Sequence, residues 1–202
     1  MADNTYTQTT SNDWVGTFGS QGYSGLKLNA SDAIAVGESI EQVVFYARRY
    51  GSPSGQISAV IIDSSNTLQE ESTNSVDIAT LGSSAYSAMP FNFNAYTLQQ
   101  SDKILVKYTG GDGSNFLQAE VSTSNQIDST SCIFFRQHDG SWTENDSWDA
   151  KFILYTNDVS GGGSGGGGSG GNGDGLPDDA GDSADGSYTY QTRPFKIWSR
   201  YN

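Results

Sequence analysis

The sequence predicts an all-β protein: an antiparallel jelly-roll β-sandwich followed by a Gly-rich linker and an extended carboxy-terminal arm. Three observations carry that expectation. Apolar and polar residues alternate with period two in short β-branched or aromatic runs, turn residues punctuate those runs, and no long stretch of helical periodicity lies between them. Composition divides the 202 residues into a head (residues 1–158), a Gly/Ser/Asp-rich flexible linker (159–186) and an aromatic, basic docking arm (187–202).

Within the head the elements follow in order. Trp14–Phe18 and Tyr23–Leu28 read as two strands around a Gly-rich turn. Ala33–Val44 has a helix-like start, but it contains Gly37 and runs into β-branched residues, so its second half reads as strand. Glu41–Tyr50, Gln56–Asp63, Asp102–Tyr108, Phe116–Val121, Cys132–Arg136 and Lys151–Tyr155 are runs of strand length, and Ile78–Phe93 supplies one or two more. The punctuation is Gly51–Gly55, Asp63–Asn66, Gly110–Ser114 and Asp139–Ser141. About eight to ten strands suit a jelly roll, which buries two inner faces without helices.

The linker has almost nothing to bury. Eleven of the 25 glycines fall between residues 161 and 175, where backbone entropy strongly opposes order. As a random coil the 28 residues would hold their ends on the order of 30 Å apart. The run equally has the composition of an engineered linker.

Charge follows the same division. The head carries a formal −11, the linker −5 and the arm +3, for a net −13. Such acidity opposes binding to bare nucleic acid, because few cations are available to displace phosphate counterions. No run approaches the ~18 apolar residues of a membrane span, so no membrane insertion is expected. The start, Met1-Ala-Asp-Asn-Thr-Tyr6, lacks the basic and apolar regions of a signal peptide. A single cysteine, Cys132, forms no internal disulfide, and a single histidine, His138, builds no His-rich metal site.

Residues Ser39 to Asn115 resemble a family of modules. The matching features are Ile40–Phe45, Gly51-Ser-Pro-Ser-Gly-Gln-Ile57, Phe91-Asn-Phe93 and the run from Asp102 through Gly110-Gly-Asp-Gly-Ser-Asn115. This pattern resembles a β-sandwich module recurrent in extracellular, surface and phage-associated proteins. The resemblance implies a carbohydrate-binding-like jelly roll over roughly residues 10–158. It implies nothing about the tail, and a shared fold does not by itself carry function.

Candidate chemistry follows from the turns. His138 beside Asp139 has no nucleophile elbow near it, and the acids are scattered, so no enzyme is expected and no catalytic residue is assigned. Sugar binding needs a flat apolar platform beside amide and carboxylate groups. Trp142, Trp148, Tyr23, Asn145 and Asp146 are the candidates, most of them within the segment His138–Asp149, and Tyr50 and Tyr86 also fall near turns. The competing reading of the segment is a hairpin whose tryptophans cap the core. Calcium is the one cofactor to weigh, with Asp174 and Asp178 as weak ligands. An EF-type loop placing Gly175 sixth puts Gly170 first and Gly181 twelfth, where carboxylates are required, so hydrated spacer is the better reading. Asp112 and Asp139 sit in Gly turns of similar character.

The arm is unlike an ordinary terminus. Tyr188, Tyr190, Phe195, Ile197, Trp198 and Tyr201, with Arg193, Lys196 and Arg200, would lie exposed unless they found a surface, and Pro194 disfavours a helix. An extended peptide docking on a partner or another copy satisfies them, and so would an edge strand added to its own head.

Head, spacer and docking arm together lead to an expected function: a non-enzymatic virion structural or surface-display protein, such as a capsid decoration, fibre or spike used in host attachment. Its partners would be other virion or surface-assembly proteins, and a homo-oligomer, such as a trimer, is expected. It would act on a virion or an extracellular surface particle. The alternative is a monomeric carbohydrate-binding module with a native or engineered linker and tail.

Overall fold

One alternating set of residues along each long strand meets its counterparts between two antiparallel sheets. In β4 (Ser39–Tyr50), Val43, Phe45 and Ala47 are buried; in β5 (Gln56–Ile62), so are Ile57, Ala59 and Ile61. The structure is a computed structural model describing residues 2–17, 19, 22–124, 132–138 and 141–159, with only the backbone described for 132–135 and 138. Residues 160–202 lie outside the described residues, and with them most of the expected linker, the whole arm from Tyr188 to Tyr201, Asp174 and Asp178.

The remaining strands are β1 (Asn4–Gln8), β2 (Asp13–Thr17), β3 (Tyr23–Leu28), β6 (Leu68–Glu71), β7 (Val76–Asp77), β8 (Ser87–Thr97) and β9 (Lys103–Lys107). After them come β10 (Phe116–Ser122), β11 (Cys132–His138), β12 (Ser141–Asn145), β13 (Asp149–Ala150) and β14 (Phe152–Asn157). One sheet runs β1-β14-β4-β10-β13, with β8 also on β4 and β2 also on β10. The other runs β12-β11-β3-β9-β5-β6, with β7 on β5. The head is therefore an all-β sandwich. Among the described residues no helix is long and apolar enough to cross a membrane.

Leu26, Ile104, Ile61, Met89, Phe91, Leu117, Phe152 and Leu154 are almost completely buried within one cluster drawn from both sheets. At about 25 cal/mol per Å² of apolar surface, such burial is the main force holding the sheets together. Gly25 marks a close approach of β3 and β9: a Cβ there would lie 2.2 Å from the Ile104 carbonyl oxygen. Gly111, at φ +74°, lets the Gly110–Ser114 turn fold back so tightly that a Cβ would meet the Asn115 carbonyl oxygen at 1.9 Å.

Several elements depart from the sequence reading. Residues 31–37 form turns, with Ala35 and Gly37 at positive φ, and the strand begins at Ser39. The Ile78–Phe93 stretch divides into a 3₁₀ turn, Ile78–Thr80, capped by the Asp77 carboxylate, and then β8. The hairpin reading of the segment after Cys132–Arg136 gives β12, which pairs with β11, whereas strands β1, β6, β7 and β13 have no counterpart in the sequence reading. β1 (Asn-Thr-Tyr-Thr-Gln) and β6 (Leu-Gln-Glu-Glu) lie at sheet edges and are polar, and the glutamates of β6 discourage pairing with another chain.

At one edge the two-faced pattern breaks. Arg136 pairs with Thr143 on β12 and with Ser24 on β3; Ser24 pairs with Val106, and Val106 with Ala59. Val106 and Ala59 belong to the core, so Arg136 and Thr143 occupy inward positions of the same row. Polar residues at inward positions leave that side of the sandwich open.

Candidate functional site

Trp14 stands beside this opening. On β2, Val15 and Thr17 are buried, so alternation turns Trp14 and Gly16 to the outer face, where they pair with Glu120 and Gln118 of β10. Gly16 puts no side chain in the way, and the Trp14 ring reaches along the strand to stack on Phe116 at 5.9 Å and 29°. Phe116 lies directly opposite Tyr50 in the register and stacks on it at 4.7 Å and 26°. Phe116 is buried between two exposed rings, Trp14 at 41% and Tyr50 at 51%. A row of three aromatic rings thus lies across an outer sheet face, longer than one sugar ring.

Polar groups of fixed orientation rim this strip. Arg48 donates from Nε to Gln118 Oε1 at 2.6 Å, and its guanidinium lies 4.8 Å from the centre of the Tyr86 ring. Burial raises the Tyr86 hydroxyl above its ordinary value, although Arg48 acts in the opposite direction. Glu120 accepts from Ser11 and, at 3.0 Å, from Lys151. A hollow of about 310 Å³ between Trp14, Tyr86 and Glu120 opens here, also lined by Asn12 and Asp13.

On its other side Trp14 lines a second hollow of about 260 Å³ at the open edge, with Trp148, Arg136, Thr143 and Asn145. The β12–β13 turn places two of these. Ser147 N–H donates to Asn145 Oδ1 at 3.0 Å, and Trp148 packs against the main core. Asp146 accepts from Ser147 Oγ at 3.3 Å within the same turn.

Tyr23 and Trp142 lie together elsewhere. Their rings are 5.7 Å apart, and both pack on Val60, Ile62 and Leu105, a small apolar cluster separate from the main core. Leu105 and Val60 are paired in register and alternate with core residues Ile104, Val106, Ala59 and Ile61, which places this cluster on the outer face of the second sheet. Trp142 therefore stands in a strand and covers apolar surface. Lys103 Nζ lies 5.9 Å from the Trp142 ring centre and donates to the Asp63 carbonyl oxygen at 2.5 Å. Burial, then the neighbouring Lys27, lowers the Lys103 ammonium below its ordinary value.

The five sugar-binding candidates thus occupy two places: Trp148, Asn145 and Asp146 at the open edge, and Tyr23 and Trp142 on an outer face. Tyr50 and Tyr86 lie along the Trp14 face. The sequence reading missed Trp14, Phe116, Arg136 and Thr143 as site residues. Trp14 lay within a strand, where a large aromatic ordinarily reads as core, and nothing in the run Cys132–Arg136 showed which residues face inward.

Asp112 spends its acceptors on its own turn. It takes hydrogen bonds from the backbone N–H groups of Ser114 and Asn115 at 2.7 and 2.9 Å, and from the Asn115 amide. These bonds hold its carboxyl below the ordinary carboxylate range. Among the described residues, no group of three or more His, Cys, Asp or Glu is placed to hold a metal ion.

No protein-family model matches the chain, and no curated protein or solved structure matches it.

Proposed function

We propose that this chain is a non-enzymatic display protein whose jelly-roll head recognises carbohydrate along Trp14, Phe116 and Tyr50. In this reading the carboxy-terminal arm tethers it to a virion or comparable surface particle. The observation that carries the sugar reading is the stacked strip, with Trp14 and Tyr50 exposed at 41% and 51%. A sugar ring has an apolar C–H face bordered by hydroxyls, and an aromatic strip rimmed by Arg48 and Glu120 complements both parts. The non-sequential strand order, with β3 between β9 and β11 and β4 between β8 and β14, supports the jelly-roll assignment.

Among the described residues lining the edge hollow there is no carboxylate, histidine or thiol. Its groups suit holding a ligand rather than transferring a proton. The display part of the proposal rests on the order of acidic head, Gly-rich spacer and cationic aromatic arm.

A glycan array probed with the full chain tests the reading. Binding to a defined set of sugars is expected, and Trp14→Ala should abolish it while the thermal melt stays near that of the parent protein. Absence of binding to every glycan, or equal binding by Trp14→Ala, overturns it.

A further inference from the structure

The edge hollow differs from the strip in one respect, which is a cation at an inward-facing position of an acidic head. Arg136 is half-buried, and its register places it in a row whose other inward members include Val106 and Ala59. Ion pairs among the described residues join Lys27 to Glu144, Lys107 to Glu71 and Lys151 to Glu120. No described side chain accepts from the Arg136 guanidinium. A guanidinium does not shed its proton in a protein, and a partly desolvated charge without a partner is costly. Such a group is stabilised by an incoming anion.

The remaining lining specifies the anion further. Asn145 Oδ1 accepts the Ser147 N–H at 3.0 Å, which fixes the orientation of its amide. Arg136 and the Asn145 NH₂ are donors, and Thr143 adds a hydroxyl. Trp14 and Trp148 provide apolar walls. The volume, about 260 Å³, is just below the ~300 Å³ at which pockets for drug-sized ligands begin, and fits a single substituted ring better than a polymer.

We infer that the edge hollow binds a carboxylated sugar, with the Arg136 fork on the carboxylate and the Trp14 and Trp148 rings against the sugar's apolar faces. A planar carboxylate matches the guanidinium fork with two parallel hydrogen bonds. Because Trp14 borders both the hollow and the strip, the acidic residue is the end of a glycan whose neighbouring sugars lie along Phe116 and Tyr50. This inference rests on the carbohydrate reading above and names the ligand class of that site.

The test is calorimetric titration of the full chain with methyl glucuronide, its methyl ester, methyl glucoside and glucose 6-sulfate. Charged hydrogen bonds contribute enough that the glucuronide should bind on the order of tenfold more tightly than its ester or the glucoside. Arg136→Gln should erase that preference and leave any residual binding equal for acid and ester. Arg136→Lys should retain part of it, since charge remains without the fork. Equal affinity of acid and ester for the parent protein, a stronger response to the sulfate, or a preference that survives in Arg136→Gln overturns the inference. The acid-to-ester comparison uses the unmodified protein, so it stands even where a variant fails to fold. Neutral-sugar binding that depends on Trp14 but ignores the carboxylate overturns this inference alone, whereas no binding of any sugar overturns the carbohydrate reading with it.

Discussion

Ser24 and Thr17 join the two sheets hydroxyl to hydroxyl at 2.9 Å, one strand inward from Arg136, and both are almost completely buried. A buried hydroxyl is tolerated here because each supplies the other's partner. Thr17→Val keeps the shape and leaves the Ser24 hydroxyl unpartnered, at a cost of about 1–3 kcal/mol. Adding Ser24→Ala removes the orphan and should recover most of that loss. Urea unfolding of the two single variants and the double variant measures the coupling, and additive losses would show that the hydroxyls do not depend on one another.

Trp14 and Trp142 should separate binding from stability. Trp142 covers Val60, Ile62 and Leu105 together with Tyr23, so Trp142→Ala exposes apolar surface and should cost about 2–3 kcal/mol, below the ~3–5 of a fully buried tryptophan. Trp14 is 41% exposed and stacks on Phe116, so Trp14→Ala should cost about 1 kcal/mol or less beyond the loss of that stack. Thermal melts beside glycan binding check the pair. A Trp142→Ala protein as stable as its parent would remove the covering role assigned to that ring.

The contrast between these tryptophans also shows what the sequence made legible. Period-two runs such as Gln56–Ile62 and Lys103–Lys107 declared their strands because they are buried and apolar on both sides of the alternation or on one. The phase of that alternation was not legible. Only the pairing of Arg136 with Ser24 and Val106 shows that the guanidinium faces inward, and only the pairing of Trp14 with Glu120 shows that the indole faces out. Edge strands such as β1 and β6 escaped for a related reason, since they satisfy backbone groups of a neighbour while burying little of their own. Sites assembled across strands distant in sequence, such as Trp14 with Trp148, cannot be read from spacing.

Asp102 makes the stability of the head depend on pH. It is buried, and its Oδ2 accepts from the Tyr96 hydroxyl at 3.0 Å and the Gln99 N–H at 2.8 Å. Burial raises its carboxyl above the ordinary 3.8 despite these bonds, and the Tyr96 hydroxyl is in turn pushed up to about 12 by burial and by Asp102. The folded state therefore holds this proton more tightly than the unfolded chain does. The contribution of Asp102 to stability is fully present below about 3.8 and is lost as pH rises through the raised folded value. Asp102→Asn keeps an acceptor for both donors without the charge. Its melting temperature relative to the parent should be higher at pH 7, and the gap should narrow as pH falls towards 3.8. A gap that is constant with pH would mean that Asp102 does not titrate differently on folding.

Removal of residues 187–202 tests the tether independently of the head. The buried cluster is made by residues from Val15 to Leu154, so the head should fold without the arm. Its melting temperature should change by less than about 2 °C, under the ~2–4 °C that 1 kcal/mol shifts in a domain of this size. Self-association or particle binding, followed by sedimentation velocity and by pull-down of intact particles, should be lost with the arm's six aromatic and aliphatic residues and three cations. Substituting Phe195 and Trp198 by alanine should give most of the same loss, because buried aromatic anchors dominate the energy of such contacts. If the truncated chain assembles as the full chain does, the tether lies elsewhere. If instead the head melts lower, the arm adds to its own sandwich, as an edge strand would.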